Sequence, residues 1–195
     1  MLAAVILAAG ESRRMGQPKA LLPYRGGTFL SYLLGCASHS KIGITRVVVG
    51  AHAEEIVRAA ALAADQIIFN AEWAQGQLSS IQAAVRSLDG MATDGMLLCP
   101  VDHPLIGAEL MGELIGNFYS SGKMIVVPKY GERRGHPMIF SSALYGELLA
   151  APEDVGARAV VWAHGADVVE VPTEEEGVVL NLNDPATLER VMKNL

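Results

Sequence analysis

The sequence predicts an α/β protein built on a doubly wound, mostly parallel sheet. Short apolar runs alternate with helical patterns from one end to the other, and the runs are apolar on both faces rather than on alternate residues. Length agrees: 195 residues suit one domain spanning 1–195, and hydrophobic residues make up 51%, which excludes disorder.

The first strand is expected at Leu2 to Leu7, an unbroken apolar run too short for a helix. Further strands are expected at Arg46 to Gly50, Gln66 to Phe69, Gly95 to Pro100, Met124 to Pro128, Met138 to Phe140 and Asp167 to Val171. Helical patterns fill the intervals at about Phe29 to Ser40, Glu54 to Ala63, Ser79 to Ser87, Gly107 to Ser120, Ser142 to Leu149, Gly156 to His164 and Pro185 to Asn194. Ligands of such sheets bind at the carboxyl ends of the strands, so the loops after Leu7, Phe69 and Pro100 should converge. The acidic cluster Glu174 to Glu176 reads as a solvated turn.

Composition narrows the function. Fifteen Lys and Arg stand against 21 Asp and Glu, a net charge of −6, which argues against nucleic acid as a partner. No apolar run reaches the roughly 20 residues of a membrane helix, and no basic residue precedes the apolar N-terminal run, so a cytoplasmic setting away from membranes is expected. Cys36 and Cys99, 63 positions apart, form no CxxC or zinc-site pattern and read as core fillers.

Against that acidic background, residues 1–25 hold four basic residues and one acid. Ala8, Ala9 and Gly10 allow a ligand close to the main chain, while Arg13, Arg14 and Lys19 bring charge, a combination suited to a nucleoside triphosphate. The loop is neither of the commoner phosphate loops. Gln17 and Pro18 separate Gly16 from Lys19, unlike a Walker A loop, and GxGxxG spacing is absent. A basic turn that only aids solubility is the plain alternative.

Five ordered segments, LAAGESRRMGQPKALL, NAEWAQGQLSSIQAAV, PVDHP, RRGHPMIF and NLNDPATL, resemble the MobA-like nucleotidyltransferases, and within them the molybdenum cofactor cytidylyltransferases. The resemblance implies a nucleotide-diphospho-sugar transferase (Rossmann-like) fold with an antiparallel strand near RGHP. It also implies Mg²⁺-dependent transfer of CMP from CTP to the phosphate of molybdopterin or the molybdenum cofactor, with pyrophosphate leaving. A molybdoenzyme or its chaperone would be a further partner. Guanylyl relatives typically carry LAGG where this chain has LAAG, which selects CTP over GTP or another NTP. GTP as donor, a phosphorylated alcohol or sugar as acceptor, and a non-catalytic cofactor carrier are the alternatives. A nicotinamide-dependent oxidoreductase is a rival at the level of the fold.

Residue by residue, the resemblance assigns nucleotide binding to Leu7, Ala8, Ala9, Gly10, Arg14, Lys19, Gly76, Ser80 and Asp102. Arg14 would hold the leaving pyrophosphate, Lys19 the transferring phosphate, and Arg13 would face solvent. Arg14, Lys19 and Asp102 form the catalytic set. Asp102 would ligate Mg²⁺, a hard cation that takes oxygen ligands, although a cap for the helix near Gly107 is its structural alternative. The family's two C-terminal aspartates are Asn181 and Asn183 here; Asn183 can still offer a carbonyl oxygen to the metal, and Asp184 reads as the cap of the last helix. Ser79 or Ser80 could be an ordinary N-cap, and Trp73 either a stacking face or a packing anchor. Arg134 and His136 are expected to bind the acceptor. His103 could orient Asp102, bind phosphate or lie at the surface.

Overall fold

The computed structural model describes residues 1–193. Strand β1 (Leu2–Ala8) is followed by a small hairpin, β2 (Pro23–Tyr24) and β3 (Gly27–Thr28), then α1 (Phe29–Cys36), β4 (Ile42–Val49), α2 (Ala53–Ala59), β5 (Ile67–Phe69) and α3 (Gln77–Ser87). The second half contains β6 (Gly95–Pro100), α4 (Ala108–Ser121), β7 (Ile125–Tyr130), β8 (Arg133–Arg134), β9 (Met138–Ser141), α5 (Tyr145–Leu149), α6 (Arg158–Ala163), β10 (Val168–Pro172) and α7 (Pro185–Met192). The expected end of the last helix, Asn194, lies outside the described residues.

The main sheet runs β10-β7-β9-β6-β1-β4-β5, with β8 paired to β7. Only the pairings of β9 with β6 and β7, and of β8 with β7, are antiparallel within it. The mixed α/β architecture and the antiparallel strand beside RGHP therefore agree with expectation. β1 is buried on both faces because its residues alternate between two cores. Leu2, Ala4, Ile6 and Ala8 join the core beneath α1, α2 and α4, whereas Ala3, Val5, Leu7 and Ala9 join the one beneath α3, α5 and α6.

Several element boundaries differ from the sequence reading for local reasons. β4 begins at Ile42, four residues early, because its first half pairs with β1 although only half-buried. α3 begins at Gln77 rather than Ser79, since Gly76 at φ 106° breaks the preceding turn and serves as its N-cap residue. Ser79 and Ser80 are consequently inside the first turn and cap nothing. The acidic turn is more than a solvated one: the Glu175 carboxylate accepts the Gly107 amide at 2.9 Å and closes the N-terminus of α4. Both cysteines are buried and free. Among the described residues, no helix is long and apolar enough to cross a membrane.

Gly135 is placed where the chain turns from β8 toward β9. Its amide donates to Pro128 O at 2.9 Å, and the next amide, of His136, donates to Val178 O at 2.8 Å. A Cβ at this position would collide with the Val178 backbone, which has no flexible end to yield. Gly135→Ala is expected to cost about 1–3 kcal/mol through this overpacking, read as a lower urea midpoint. An unchanged midpoint would show that the turn can move aside.

Candidate functional site

β1 lies between β4 and β6, and the chain reaches β4 and β5 on one side before crossing back to β6 on the other. Connections diverge at the β1–β6 boundary, so a crevice opens beyond the carboxyl ends of those two strands. A cavity of about 300 Å³ occupies it. Leu7, Ala8, Ala9 and Gly10 form one wall, Gly76, Gln77 and Ser80 another, and Asp102 and His103 close it from β6. Eight of the nine residues expected to bind nucleotide thus line one space.

The basic loop is braced by short-range geometry. Two 3₁₀ turns, Arg13–Met15 and Lys19–Leu21, compact it, and the Lys19 amide donates to Ser12 Oγ at 3.1 Å. His52 Nε2 holds the Glu11 carbonyl at 2.9 Å from α2. Ser12 takes the left-handed conformation at φ 56°, a costly choice for a residue with a side chain and one often found at binding sites.

Lys19 connects distant parts of the sequence. Its Nζ donates to Asp102 Oδ2 at 3.1 Å and to Asn183 Oδ1 at 2.6 Å. The loop after β1, the end of β6 and the segment before α7 therefore meet at one ammonium. Asp102 does not cap α4, a role taken by Glu175. The Asp102 carbonyl instead accepts the Leu182 amide at 2.9 Å, and Leu182 is fully buried, which anchors the flanking Asn181 and Asn183 beside the cavity. A carboxylate and an amide oxygen that converge on one cation are the donors a magnesium-sized ion takes from protein when phosphates and water complete its shell. Among the described residues no cluster of three His, Cys, Asp or Glu could hold a metal by itself, so these two oxygens fit a metal that arrives with a triphosphate.

Arg14 stands apart from this group. It is exposed and does not line the cavity; its charge bears instead on Asp184. Asp184 caps α7, its two oxygens accepting the Thr187 amide at 2.8 Å and hydroxyl at 2.9 Å, with Pro185 in the first turn. Those hydrogen bonds hold the Asp184 carboxyl below its ordinary range, with a smaller contribution from Arg14. Arg13 pairs with Glu11 at 2.6 Å in solvent, as expected.

The loop after β5 is organised by Asn70, a buried amide that sequence inspection passed over. Its Nδ2 donates to Ser79 Oγ at 2.9 Å and Ser80 Oγ at 3.0 Å, and its Oδ1 accepts the Glu72 amide at 2.9 Å. Trp73 packs against the core beneath α3 and also lines the cavity.

A second cavity of about 560 Å³ adjoins the first, and the two share Gly76, Gln77, His136 and Asn181. Arg134 and His136, the expected acceptor residues, both line it. Arg134 is tied to Glu170 at 2.7 Å, which leaves its remaining guanidinium donors for a ligand. Asn181, at one of the family's two aspartate positions, also lines this space; Arg158 and Trp162 do too and were missed, because α6 lies far from every recognisable motif.

The His136 ring stacks obliquely against His103 with centroids 4.9 Å apart. His103 is 4% exposed and faces Gly177 O at 3.4 Å, so it is not a surface residue. Burial, with the neighbouring His103 adding to it, pushes the His136 imidazole down to about 4 from its ordinary 6.5. A depressed folded value means that the unfolded chain binds the extra proton between roughly pH 6.5 and 4, so stability falls as pH drops through that window. Replacement by Gln is expected to remove up to about 3 kcal/mol of this pH dependence. Urea unfolding of wild type and His136→Gln at pH 7 and pH 4.5 checks it; parallel losses in both proteins would refute it.

Residues 4–168 match the MobA-like NTP transferase domain. The chain belongs to this family. As a MobA-like protein it is a nucleotidyltransferase by family, and the curated proteins it resembles diverge in name. It is 31% identical over 166 residues to the nicotine blue oxidoreductase of Paenarthrobacter nicotinovorans, covering 79% of this chain and 78% of that one. To the molybdenum cofactor cytidylyltransferase of Escherichia coli it is 28% identical, covering 93% and 90%. To a probable molybdenum cofactor guanylyltransferase of Mycobacterium avium it is 28% identical, covering 96% and 93%. The structure of Rv0371c from Mycobacterium tuberculosis, solved in complex with manganese, superposes with a TM-score of 0.74 at 25% identity and covers 100% of this chain and 99% of that one.

Proposed function

We propose that this chain transfers CMP from CTP to the terminal phosphate of molybdopterin or its molybdenum form and releases pyrophosphate. The observation that carries the reading is the meeting of Lys19, Asp102 and Asn183 at the mouth of a cavity walled by the main chain of Leu7 to Gly10. Transfer of this kind needs no covalent protein intermediate. An oxygen of the acceptor phosphate attacks the α-phosphorus of the triphosphate in line, the bond to the bridging oxygen breaks, and pyrophosphate departs with the electron pair. Alignment and charge neutralisation supply most of the rate.

Each side chain then has a part. Asp102 and Asn183 would hold Mg²⁺, which when bound offsets charge on the triphosphate oxygens. Lys19 would release the Asp102 and Asn183 oxygens and turn to the transferring phosphate, a shift of partner rather than of backbone. Ser80 and Gly76 bound the space for base and ribose, with Asn70 fixing the serine hydroxyl. His136, uncharged at neutral pH, and Arg134 receive the acceptor phosphate from the second cavity.

CTP as donor rests on the LAAG string, and molybdopterin as acceptor on family likeness. Incubation with labelled CTP or GTP, Mg²⁺ and molybdopterin tests both. A cytidine dinucleotide is expected, and product from GTP alone would overturn the choice of base. The likeness to nicotine blue oxidoreductase favours a second reading, oxidoreductase chemistry on nicotine blue or a similar compound. Nicotinamide binding by calorimetry, with oxidation of the reduced cofactor in the presence of that compound, would establish that reading over transfer.

A further inference from the structure

Helix α6 buries Val160 and Val161 in the core beneath it, yet Trp162 on the same helix is 67% exposed. Its indole face is therefore open to a ligand that enters the adjoining cavity. Trp162 is four residues beyond Arg158, so the two lie on one face of the helix, and both line the 560 Å³ cavity. That cavity is divided by chemistry. Leu78, Ile81, Met138 and Phe140 make part of its wall apolar, whereas His136 and Asn181 belong to the wall shared with the nucleotide cavity. A ligand with a flat apolar ring system and a phosphate would match both parts, phosphate toward the nucleotide and ring toward Trp162.

We infer that Trp162 determines acceptor specificity by stacking on a planar heterocycle whose phosphate lies at the His136–Asn181 wall, an inference that rests on the transferase reading above. Arg158, on the same helix face, offers a cation to polar substituents at the ring's edge. Glu153 and Asp154 also line the cavity, so its rim carries both signs of charge and does not select for anionic groups in general. The aromatic face is therefore what distinguishes a ring-bearing acceptor from an aliphatic phosphate.

The chain has two tryptophans, Trp73 in the nucleotide cavity and Trp162 in the second, so the variant Trp73→Phe leaves Trp162 as the sole indole emitter. With CTP and Mg²⁺ present, 6-hydroxymethylpterin phosphate should quench that emission, and glycerol 3-phosphate should not. By calorimetry, Trp162→Ala is expected to raise the Kd of the pterin phosphate about five- to tenfold. Trp162→Phe should restore it to within about twofold, and neither change should alter glycerol 3-phosphate binding. The indole is mostly in solvent, so both variants should melt with wild type, which thermal denaturation verifies.

An unchanged pterin Kd in Trp162→Ala, an equal loss for both probes, or no pterin binding to wild type would overturn the inference. Pyrophosphate release from CTP with molybdopterin separates the two levels. Release that persists in wild type while the Trp162 effects fail removes only the stacking role, whereas no release from wild type removes the transferase reading itself.

Discussion

Asp102→Ala is expected to lower nucleotidyl transfer by about a thousandfold or more while leaving the fold intact. Among the described residues, Asp102 is the only carboxylate on the wall of the first cavity. Without it, Asn183 is left as a lone neutral oxygen, too weak a ligand set for a hard divalent ion. The link between the end of β6 and the C-terminal segment survives, since it runs from the Leu182 amide to the Asp102 main-chain carbonyl. Thermal stability should therefore stay within about 1 kcal/mol of wild type, as for other partly exposed ion pairs. Initial rates of pyrophosphate release together with a melting curve check both parts. A variant that keeps more than a tenth of the rate would remove Asp102 from the mechanism.

Lys19→Met is expected to produce two opposite changes. Turnover falls about a hundredfold, because a charge that should follow the transferring phosphate is lost. Divalent cation binding in the absence of nucleotide becomes tighter, since the ammonium that now bridges Asp102 Oδ2 and Asn183 Oδ1 occupies the position a metal needs. The side chains of Lys19 and Asp102 are 17% and 21% exposed, so water screens this competition only in part. Manganese titration followed by electron paramagnetic resonance measures free ion directly and does not depend on turnover. Equal manganese affinity in wild type and Lys19→Met would exclude competition, and an undiminished rate would exclude the phosphate role. The same geometry predicts that wild type takes up metal and triphosphate together, with the triphosphate drawing Lys19 away.

Much of the architecture was legible in the chain. The unbroken run Leu2 to Leu7 could only be a strand covered on both faces, and Gly95 to Pro100 was placed to the residue. Asp102 stood out because an acid directly after such a strand reaches the ligand-binding edge of the sheet. Asn70, by contrast, carries no periodic signal; its importance comes from two hydroxyls on the next helix. Arg14 matched a motif, yet a 3₁₀ turn directs it toward Asp184 and solvent rather than into the cavity. Trp162 was invisible because exposure of one indole is a property of how α6 seats its valines.

What the sequence determined by itself was local: which segments pack on both faces, where the chain must turn, and which residue types can grip phosphate. Those follow from side-chain volume, hydropathy and backbone freedom, all of which are set within a few residues. What only the tertiary structure decided was juxtaposition. Lys19 meets Asn183 across 164 positions of sequence because parallel strands deliver their carboxyl ends to the same edge and Leu182 pins the returning segment there. No local pattern encodes that meeting, since its cause is the burial of a sheet between two layers of helices.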